Sequence, residues 1–199
     1  MDIYQTATQR RSIREFKDKA VPYEILEKCV NAARLAPSAA NRQLIEYVIV
    51  DDEKLMPSMF DAVASWFGVS RPKEGWPPGR RPKAYIVSLI DLEAEAERGV
   101  GRTNALFDVG MAAENIVLVA EEAGLGSCAI TGFSPNRLRQ VLNVPAKYET
   151  ALMLALGYPD ESPVVEVATD SIERYMDDKG VRHIPKRELK DILHRNRFP

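Results

Sequence analysis

Apolar residues recur along this chain at two spacings, one typical of helices and one typical of strands. From Pro22 to Pro37 they follow the helical spacing, and Pro37 ends the pattern because the residue before a proline disfavours the helical conformation. A longer helix is predicted from about Asn104 to Ala123, with an apolar stripe wide enough for burial on more than one side. Two shorter helices are predicted over 57–67 and from Ser134 to about Leu142.

Strands are predicted where short runs of β-branched and aromatic residues lie between turn residues. These runs cover 47–50, 84–90, 127–130 and 150–156, and the last is apolar enough to be a central strand. The stretch 68–83 is rich in glycine and proline and predicts a loop. Because helices and strands intermix without a regular βαβ order, the pattern predicts the α+β class and not a doubly wound parallel sheet.

The composition is that of an ordinary globular protein and argues against several classes. The 199 residues are 45% hydrophobic and 28% charged, so a single domain over 1–199 is expected. The net charge of −2 argues against wholesale nucleic-acid or membrane-surface binding, and no apolar stretch approaches the roughly 20 residues of a membrane span. Two cysteines make no disulfide framework and no signal peptide opens the chain, so a cytoplasmic protein is expected.

Positive charge is concentrated at both ends of the chain. Residues 10–19 hold five basic residues and 179–199 hold seven, whereas 149–178 are strongly acidic. The pattern fits a solvated surface or two halves of one anion site, and it leaves both open. The chain has no HExxH, GxSxG or P-loop motif, and its two histidines, His183 and His194, lie in a charged setting typical of surface residues.

Two segments carry polar groups suited to a bound cofactor. If 10–14 is extended, Arg10, Ser12 and Arg14 point to one side, where two guanidinium groups and a hydroxyl suit a phosphate and a polyol chain. A basic surface strand explains this segment equally well.

The second polar segment spans 36–43. Its small residues allow a flat ligand to approach the backbone. Its polar side chains, Ser38, Asn41 and Gln43, offer the donors and acceptors that suit a heterocycle with both C=O and N–H groups. Taken alone, it is better explained as a polar turn between helix and strand.

Four motifs occur in order along the chain: RRSIRxF over 10–16, APSxxNxQ over 36–43, GLGSCxIxGF over 124–133 and ALGYP over 155–159. Each is weak alone, but in this order they are specific, and the chain resembles the FMN-dependent nitroreductase family over nearly its whole length. The resemblance implies a three-layer α+β fold with a mostly antiparallel central sheet flanked by helices. It also implies a homodimer with FMN at the interface and a domain-exchanged extension over 160–199 that contacts the partner subunit.

The resemblance also implies which residues bind FMN. They are Arg10, Arg11, Ser12, Arg14, Pro37, Ser38, Asn41, Gln43, Thr131, Gly132, Lys186 and Arg187. Arg14 is expected near flavin N1 and the C2 carbonyl, Arg10 near the phosphate, and the backbone at Thr131 near flavin N5. The 37–43 segment is expected to reach the flavin of the other subunit, and the basic pair 186–187 is expected to complete the phosphate site. No side-chain acid or base is assigned, because flavin N5 is the reactive centre.

The implied activity is transfer of two electrons from NAD(P)H to a small acceptor (a nitroaromatic, a quinone or an activated alkene) by a ping-pong mechanism. The chain departs from the family at 44–46, where proline and an aromatic are common, and at Ala129, where an aromatic is frequent. Substrate preference is therefore not carried over. The loop 68–83 is either a mobile flap over the substrate or a plain surface loop. The alternative function is a non-catalytic flavin- or nucleotide-binding protein, a sensor or carrier on the same scaffold.

Overall fold

A computed structural model describes residues 2–63 and 77–198 of the chain. The chain forms two compact units, Met1–Asp160 and Glu161–Pro199. The described helices of the first unit are α1 (Ile3–Gln9), α2 (Tyr23–Arg34), α3 (Met56–Ala62), α4 (Leu92–Arg98), α5 (Arg102–Glu122) and α6 (Pro135–Leu142). Its described strands are β1 (Ile45–Val50), β2 (Ala84–Asp91), β3 (Gly126–Ile130) and β4 (Tyr148–Gly157). The α+β class predicted from the sequence is confirmed.

The four strands form one antiparallel sheet in the order β1-β2-β4-β3. Successive side chains of β2 point to opposite faces, and both faces are covered. Tyr85 and Val87 pack in the core that α3 and α6 share with the sheet, whereas Ala84 and Ile86 pack in the core beneath α2 and α5. The predicted three-layer arrangement is therefore confirmed, and β4 is the central strand expected over 150–156.

The helix predicted over 57–67 is shorter than expected. It ends at Ala62, and Val63 is already extended and pairs with Phe133. The reason is that the Ala62 carbonyl accepts a hydrogen bond from the Ser134 N–H (2.8 Å), which draws the chain toward the start of α6. The rest of the predicted helix, and 68–76 of the predicted loop, lie outside the described residues.

Among the described residues, helix α5 is buried on one side only. Its core-facing residues pack against α2 and the sheet, whereas Leu106 and Phe107 are 46% and 64% exposed. The wide apolar stripe therefore extends beyond the surface that the described residues cover. None of the helices in the described part of the chain is long and apolar enough to cross a membrane.

Both cysteines of the chain are buried in the first unit. Cys29 lies on the inner face of α2, and burial raises the pKa of its thiol to about 11. Cys128 lies in β3 and is 5% exposed. Since the thiolate is the reactive form, the Cys29 thiol is unreactive at neutral pH.

The second unit contains a small sheet of β5 (Val164–Val167), β6 (Tyr175–Met176) and β7 (Arg182–Lys186). Strand β7 lies in the middle, parallel to β5 and antiparallel to β6. The predicted exchange of this segment between subunits stays a prediction.

His183, in β7, corrects the expectation of a simple surface histidine. Its side chain is only 19% exposed, with Nδ1 2.8 Å from Glu166 Oε2 and Nε2 3.4 Å from Asp177 Oδ2. Its ring also stacks on Tyr175, with centroids 4.7 Å apart. The hydrogen bond to Glu166 is the main cause that raises the pKa of His183 above its usual 6.5.

This cluster predicts that the second unit loosens as the pH rises. A group whose folded-state pKa is raised contributes stability that is fully present below its unfolded pKa and is lost as the pH rises through its folded pKa. We expect proteolytic cleavage within 161–198 to become faster as the pH rises from about 6 to 8, the range in which histidine titrates. His183→Gln should abolish that dependence, and an unchanged pH profile in this variant would contradict the prediction.

Candidate functional site

The first polar segment lies extended against the start of β3. Ile13 N–H donates to the Ser127 carbonyl (2.8 Å), and Ser12 and Ser127 form a parallel bridge. Three residues after Ile13, Phe16 pairs with Pro159 just beyond β4. The segment is thereby fixed to the last two strands of the sheet by backbone contacts at both ends.

Two glycines make this contact possible. Gly126 in β3 and Gly157 in β4 lie directly opposite each other, and we call them the glycine pair. A Cβ on Gly126 would lie 2.5 Å from Ile13 Cγ1, and a Cβ on Gly157 would lie 2.8 Å from Phe16 Cδ1. Three of the four sequence motifs therefore meet at one place, because the glycines of two motifs leave room for the side chains of the first.

The arginines of this segment make short-range contacts, and Arg10 reaches α5. Arg10 Nε lies 3.4 Å from Glu114 Oε1, and Arg11 Nη1 donates backward to the carbonyls of Thr8 (2.7 Å) and Arg10 (2.6 Å). Burial, followed by the charge of Arg10, lowers the pKa of Arg11. Arg14 Nη1 donates to the Ser12 carbonyl at 3.2 Å. Positive charge is therefore concentrated beside β3.

Arg10 supplies a test of whether an anionic group fits here. Its Nε is buried, yet no described residue accepts a hydrogen bond from it with good geometry. Glu114 Oε1 is close enough for an ion pair but is not in a position to accept that hydrogen bond. A buried donor without an acceptor is costly, and a phosphate oxygen would satisfy it. The donor set at 10–14 thus fits the phosphate end of a nucleotide cofactor.

The second polar segment forms a strained turn between α2 and β1. Three of its non-glycine residues are left-handed: Ala40 (φ +50°), Asn41 (φ +56°) and Gln43 (φ +51°). Such a conformation costs roughly 1–2 kcal/mol per residue, least for asparagine. Hydrogen bonds within the turn offset part of that cost: Gln43 N–H donates to Ser38 Oγ (3.3 Å) and Gln43 Nε2 donates to Asn41 Oδ1 (3.1 Å).

Asp108 of α5 holds this turn and was missed by the sequence reasoning. It is 2% exposed, and both of its carboxylate oxygens accept the Ala39 N–H, at 3.0 and 3.1 Å. The signal was present in the sequence. Helical spacing places Asp108 on the same face as Ala105 and Ala112, and an acidic residue on a buried face needs a hydrogen-bond partner.

A pocket of about 160 Å³ opens beside the turn, with Ile45, Tyr47 and Asp108 among the residues that line it. Burial raises the pKa of Tyr47 to about 12, so its hydroxyl stays protonated at neutral pH. Of the departures from the family pattern at 44–46, only Ile45 lines this pocket. Leu44 is buried in a separate core, and Glu46 accepts a hydrogen bond from the Tyr148 hydroxyl at 2.5 Å.

The remaining predicted positions lie elsewhere. Thr131 and Gly132 follow β3 at the end opposite Ser127. In the second unit, Lys186 is exposed at the end of β7, and Arg187 Nη2 donates to the Asp191 carbonyl at 2.7 Å. Across residues 2–63 and 77–198, the acidic, histidine and cysteine side chains form no group able to hold a metal ion.

The fold and these two segments define a three-layer α+β protein with polar groups arranged for a nucleotide-type cofactor. The family model described as "Nitroreductase family" matches residues 7–158. This chain belongs to the nitroreductase family.

Individual relatives agree with that membership. The chain is 28% identical over 184 residues to a protein of Thermus thermophilus named NADH dehydrogenase, covering 81% of this chain and 88% of the relative. It is 23% identical to an NADPH-dependent oxidoreductase of Staphylococcus aureus, covering 98% and 74% of the two chains. Among solved structures, an FMN-dependent nitroreductase of Clostridium difficile is 26% identical, with a TM-score of 0.67 over 98% of this chain and 99% of the other.

Proposed function

We propose that this protein is an FMN-dependent oxidoreductase that passes two electrons from NAD(P)H to a small acceptor. The main support for the proposal is the 10–14 segment seated on the glycine pair, where the buried Arg10 Nε lies 3.4 Å from Glu114 but forms no hydrogen bond of good geometry with a described residue. The family and the FMN-dependent relative supply the identity of the cofactor.

The protein's own part is to bind and orient FMN. The phosphate end of FMN would be held by basic and hydroxyl groups: Arg10, Arg11, Ser12, Lys186 and Arg187. The ring would be held by Arg14, Pro37, Ser38, Asn41, Gln43 and the backbone at Thr131 and Gly132. FMN, when bound, supplies the hydride chemistry, so no side-chain acid or base is required.

A homodimer is part of this proposal. Leu106 and Phe107 form an apolar area of α5 that the described residues leave uncovered, and burial of such an area favours association. Pairing through this face would bring the Ser38–Gln43 turn of one subunit to the FMN of the other, with the 160–199 segment contacting the partner. A monomeric mass in solution would contradict this arrangement.

The electron donor and acceptor are proposed to use the same face of the cofactor in turn. Relatives named for NADH and for NADPH both match this chain, so either dinucleotide is a candidate donor. Nitroaromatics, quinones and activated alkenes are the candidate acceptors. If the electron donor and acceptor share one pocket, the kinetics should be ping-pong. Double-reciprocal plots of initial rate against dinucleotide concentration, measured at several acceptor concentrations, should then give parallel lines.

The test is anaerobic reduction of the FMN-loaded protein. We expect the purified protein to bind FMN, and its absorbance near the flavin maximum to bleach within turnover times after NADH or NADPH is added. Addition of a quinone or nitroaromatic should then restore the absorbance. Stable oxidised absorbance after both dinucleotides would instead indicate the non-catalytic binding protein, and failure to bind FMN at all would overturn the proposal.

A further inference from the structure

The turn between α2 and β1 is attached to the rest of its unit mainly through polar contacts. Its Ala39 N–H donates to the buried Asp108, and its Arg42 carbonyl accepts from Arg98 Nη1 at 2.5 Å. The Arg98 contact is exposed and the Asp108 contact is not, so water competes with the first far more than with the second. Asp108 is therefore the stronger of the two attachments.

Among the described residues, the Asp108 carboxylate accepts hydrogen bonds from the turn alone. Among residues 2–63 and 77–198, the Ala39 amide is its only hydrogen-bond donor. A nearly fully buried carboxylate with a single donor is poorly compensated, and a chain selected only for stability would gain from an apolar residue there. Asp108 also lines the pocket beside the turn. We therefore assign its hydrogen bond with Ala39 to holding the backbone conformation of the turn.

The conformation held in this way determines which polar atoms the turn presents. Gln43 Nε2 donates to Asn41 Oδ1, which leaves Gln43 Oε1 as an acceptor and Asn41 Nδ2 as a donor. Both side chains are exposed, so these atoms are available to a ligand. An acceptor and a donor side by side match a heterocycle edge that offers N–H and C=O groups.

We propose that Asp108 is a positioning residue that holds the 38–43 turn, through the Ala39 amide, in the conformation that receives the FMN ring. This inference rests on the proposed function. Asp108 itself need not touch the cofactor. It acts by opposing relaxation of Ala40, Asn41 and Gln43 out of the left-handed region.

Asn115 offers a matched control on the same helix. It lies seven residues after Asp108, and its Nδ2 donates to the Ala32 carbonyl of α2 at 3.0 Å. It therefore ties α5 to the end of α2 by a hydrogen bond to the backbone, as Asp108 ties the turn, but it does not contact the turn. Asn115→Ala measures the effect of losing such a bond on stability alone.

The first measurement is hydrogen exchange of the Ala39 amide in FMN-free protein. We expect Asp108→Ala to accelerate this exchange, Asp108→Asn to retain most of the protection through its remaining oxygen, and Asn115→Ala to leave the Ala39 rate unchanged. Equal acceleration in Asp108→Ala and Asn115→Ala would overturn the inference, because it would show a general loosening of α5.

The second measurement is FMN affinity by fluorescence titration of variants that melt cooperatively. We expect Asp108→Ala to weaken FMN binding at least about tenfold, and Asp108→Asn to restore affinity to within about threefold of the unaltered protein. If the unaltered protein binds FMN and Asp108→Ala binds it equally well, this inference alone fails. If the unaltered protein does not bind FMN, the proposed function fails and this inference with it.

Discussion

Replacing Gly126 by alanine is expected to destabilise the protein and to weaken cofactor binding together. The new Cβ would lie 2.5 Å from Ile13 Cγ1 and 2.7 Å from Ile13 Cβ, closer than carbon atoms can pack. Ile13 is β-branched and buried, so it cannot rotate away, and the 10–14 segment must shift. Overpacking of this kind costs about 1–3 kcal/mol, which lowers the melting temperature by roughly 2–12 °C in a chain of this size.

Gly79 is the matched control for this substitution. It lies in the short 3-10 turn Pro78–Arg80, and a Cβ there would meet no described atom within 4 Å. Gly79→Ala should leave the melting temperature and FMN affinity close to those of the unaltered protein, because the new methyl group meets no neighbour and the backbone at Gly79 needs no positive φ. Calorimetry and FMN titration of both variants test the prediction. The prediction fails if Gly126→Ala has the melting temperature of the unaltered protein or binds FMN equally well. Either result would show that the glycine pair does not position the Arg10–Arg14 segment.

Removal of the Arg14 guanidinium is expected to make the FMN midpoint potential more negative. A positive charge near N1 and the C2 carbonyl favours the reduced, anionic form of the flavin. At an effective dielectric constant of 20, unit charges about 4 Å apart interact by roughly 4 kcal/mol before desolvation is counted. If about a third of this interaction energy remains after desolvation, loss of the Arg14 charge in Arg14→Ala should lower the two-electron potential by about 30 mV.

The Arg14→Lys variant distinguishes the effect of the positive charge at position 14 from the effect of the planar guanidinium group. Lysine keeps the positive charge but loses the planar donor pair, so its potential should lie between those of the alanine variant and the unaltered protein. The measurement is a spectroscopic redox titration against a reference dye, with FMN retained at least in part by each variant. A potential that is unchanged in Arg14→Ala would remove Arg14 from the role proposed for it.

Much of the fold could be predicted from local sequence signals. Ser134 and Pro135 mark the start of α6, and the structure shows the Ser134 side chain accepting from the Arg137 N–H. Helices α1 and α4 were missed because their apolar positions are few and exposed. Their capping residues were nevertheless visible: Asp2 and Asp91 each cap the helix that follows. Capping chemistry was thus a better guide there than hydrophobic periodicity.

The early end of α3 depends on a long-range hydrogen bond that the sequence near α3 does not reveal. The bond from the Ser134 N–H to the Ala62 carbonyl joins segments more than 70 residues apart. The role of the glycine pair was hidden for the same reason. A glycine in a strand suggests close approach of another part of the chain, but the sequence does not say that Ile13 and Phe16 are the approaching residues.

The candidate site was predicted by resemblance more than by physical chemistry. Residue types alone left the 10–14 segment open between a cofactor site and a basic surface strand, and they favoured an ordinary polar turn for 36–43. The structure adds the buried Arg10 nitrogen, the left-handed turn and the Asp108 contact, none of which follows from a motif. The place of Lys186 and Arg187 in the site stays a prediction.

The burial of both native thiols makes this protein a clean background for site-directed labelling. Because Cys29 and Cys128 are shielded, a cysteine introduced at the exposed Ala129 would be the one thiol open to a maleimide dye. A fluorophore there would stand just before Thr131 and Gly132. Quenching by the flavin, or transfer between the dyes of paired subunits, would then report cofactor loading and assembly in a single sample without removal of either native cysteine.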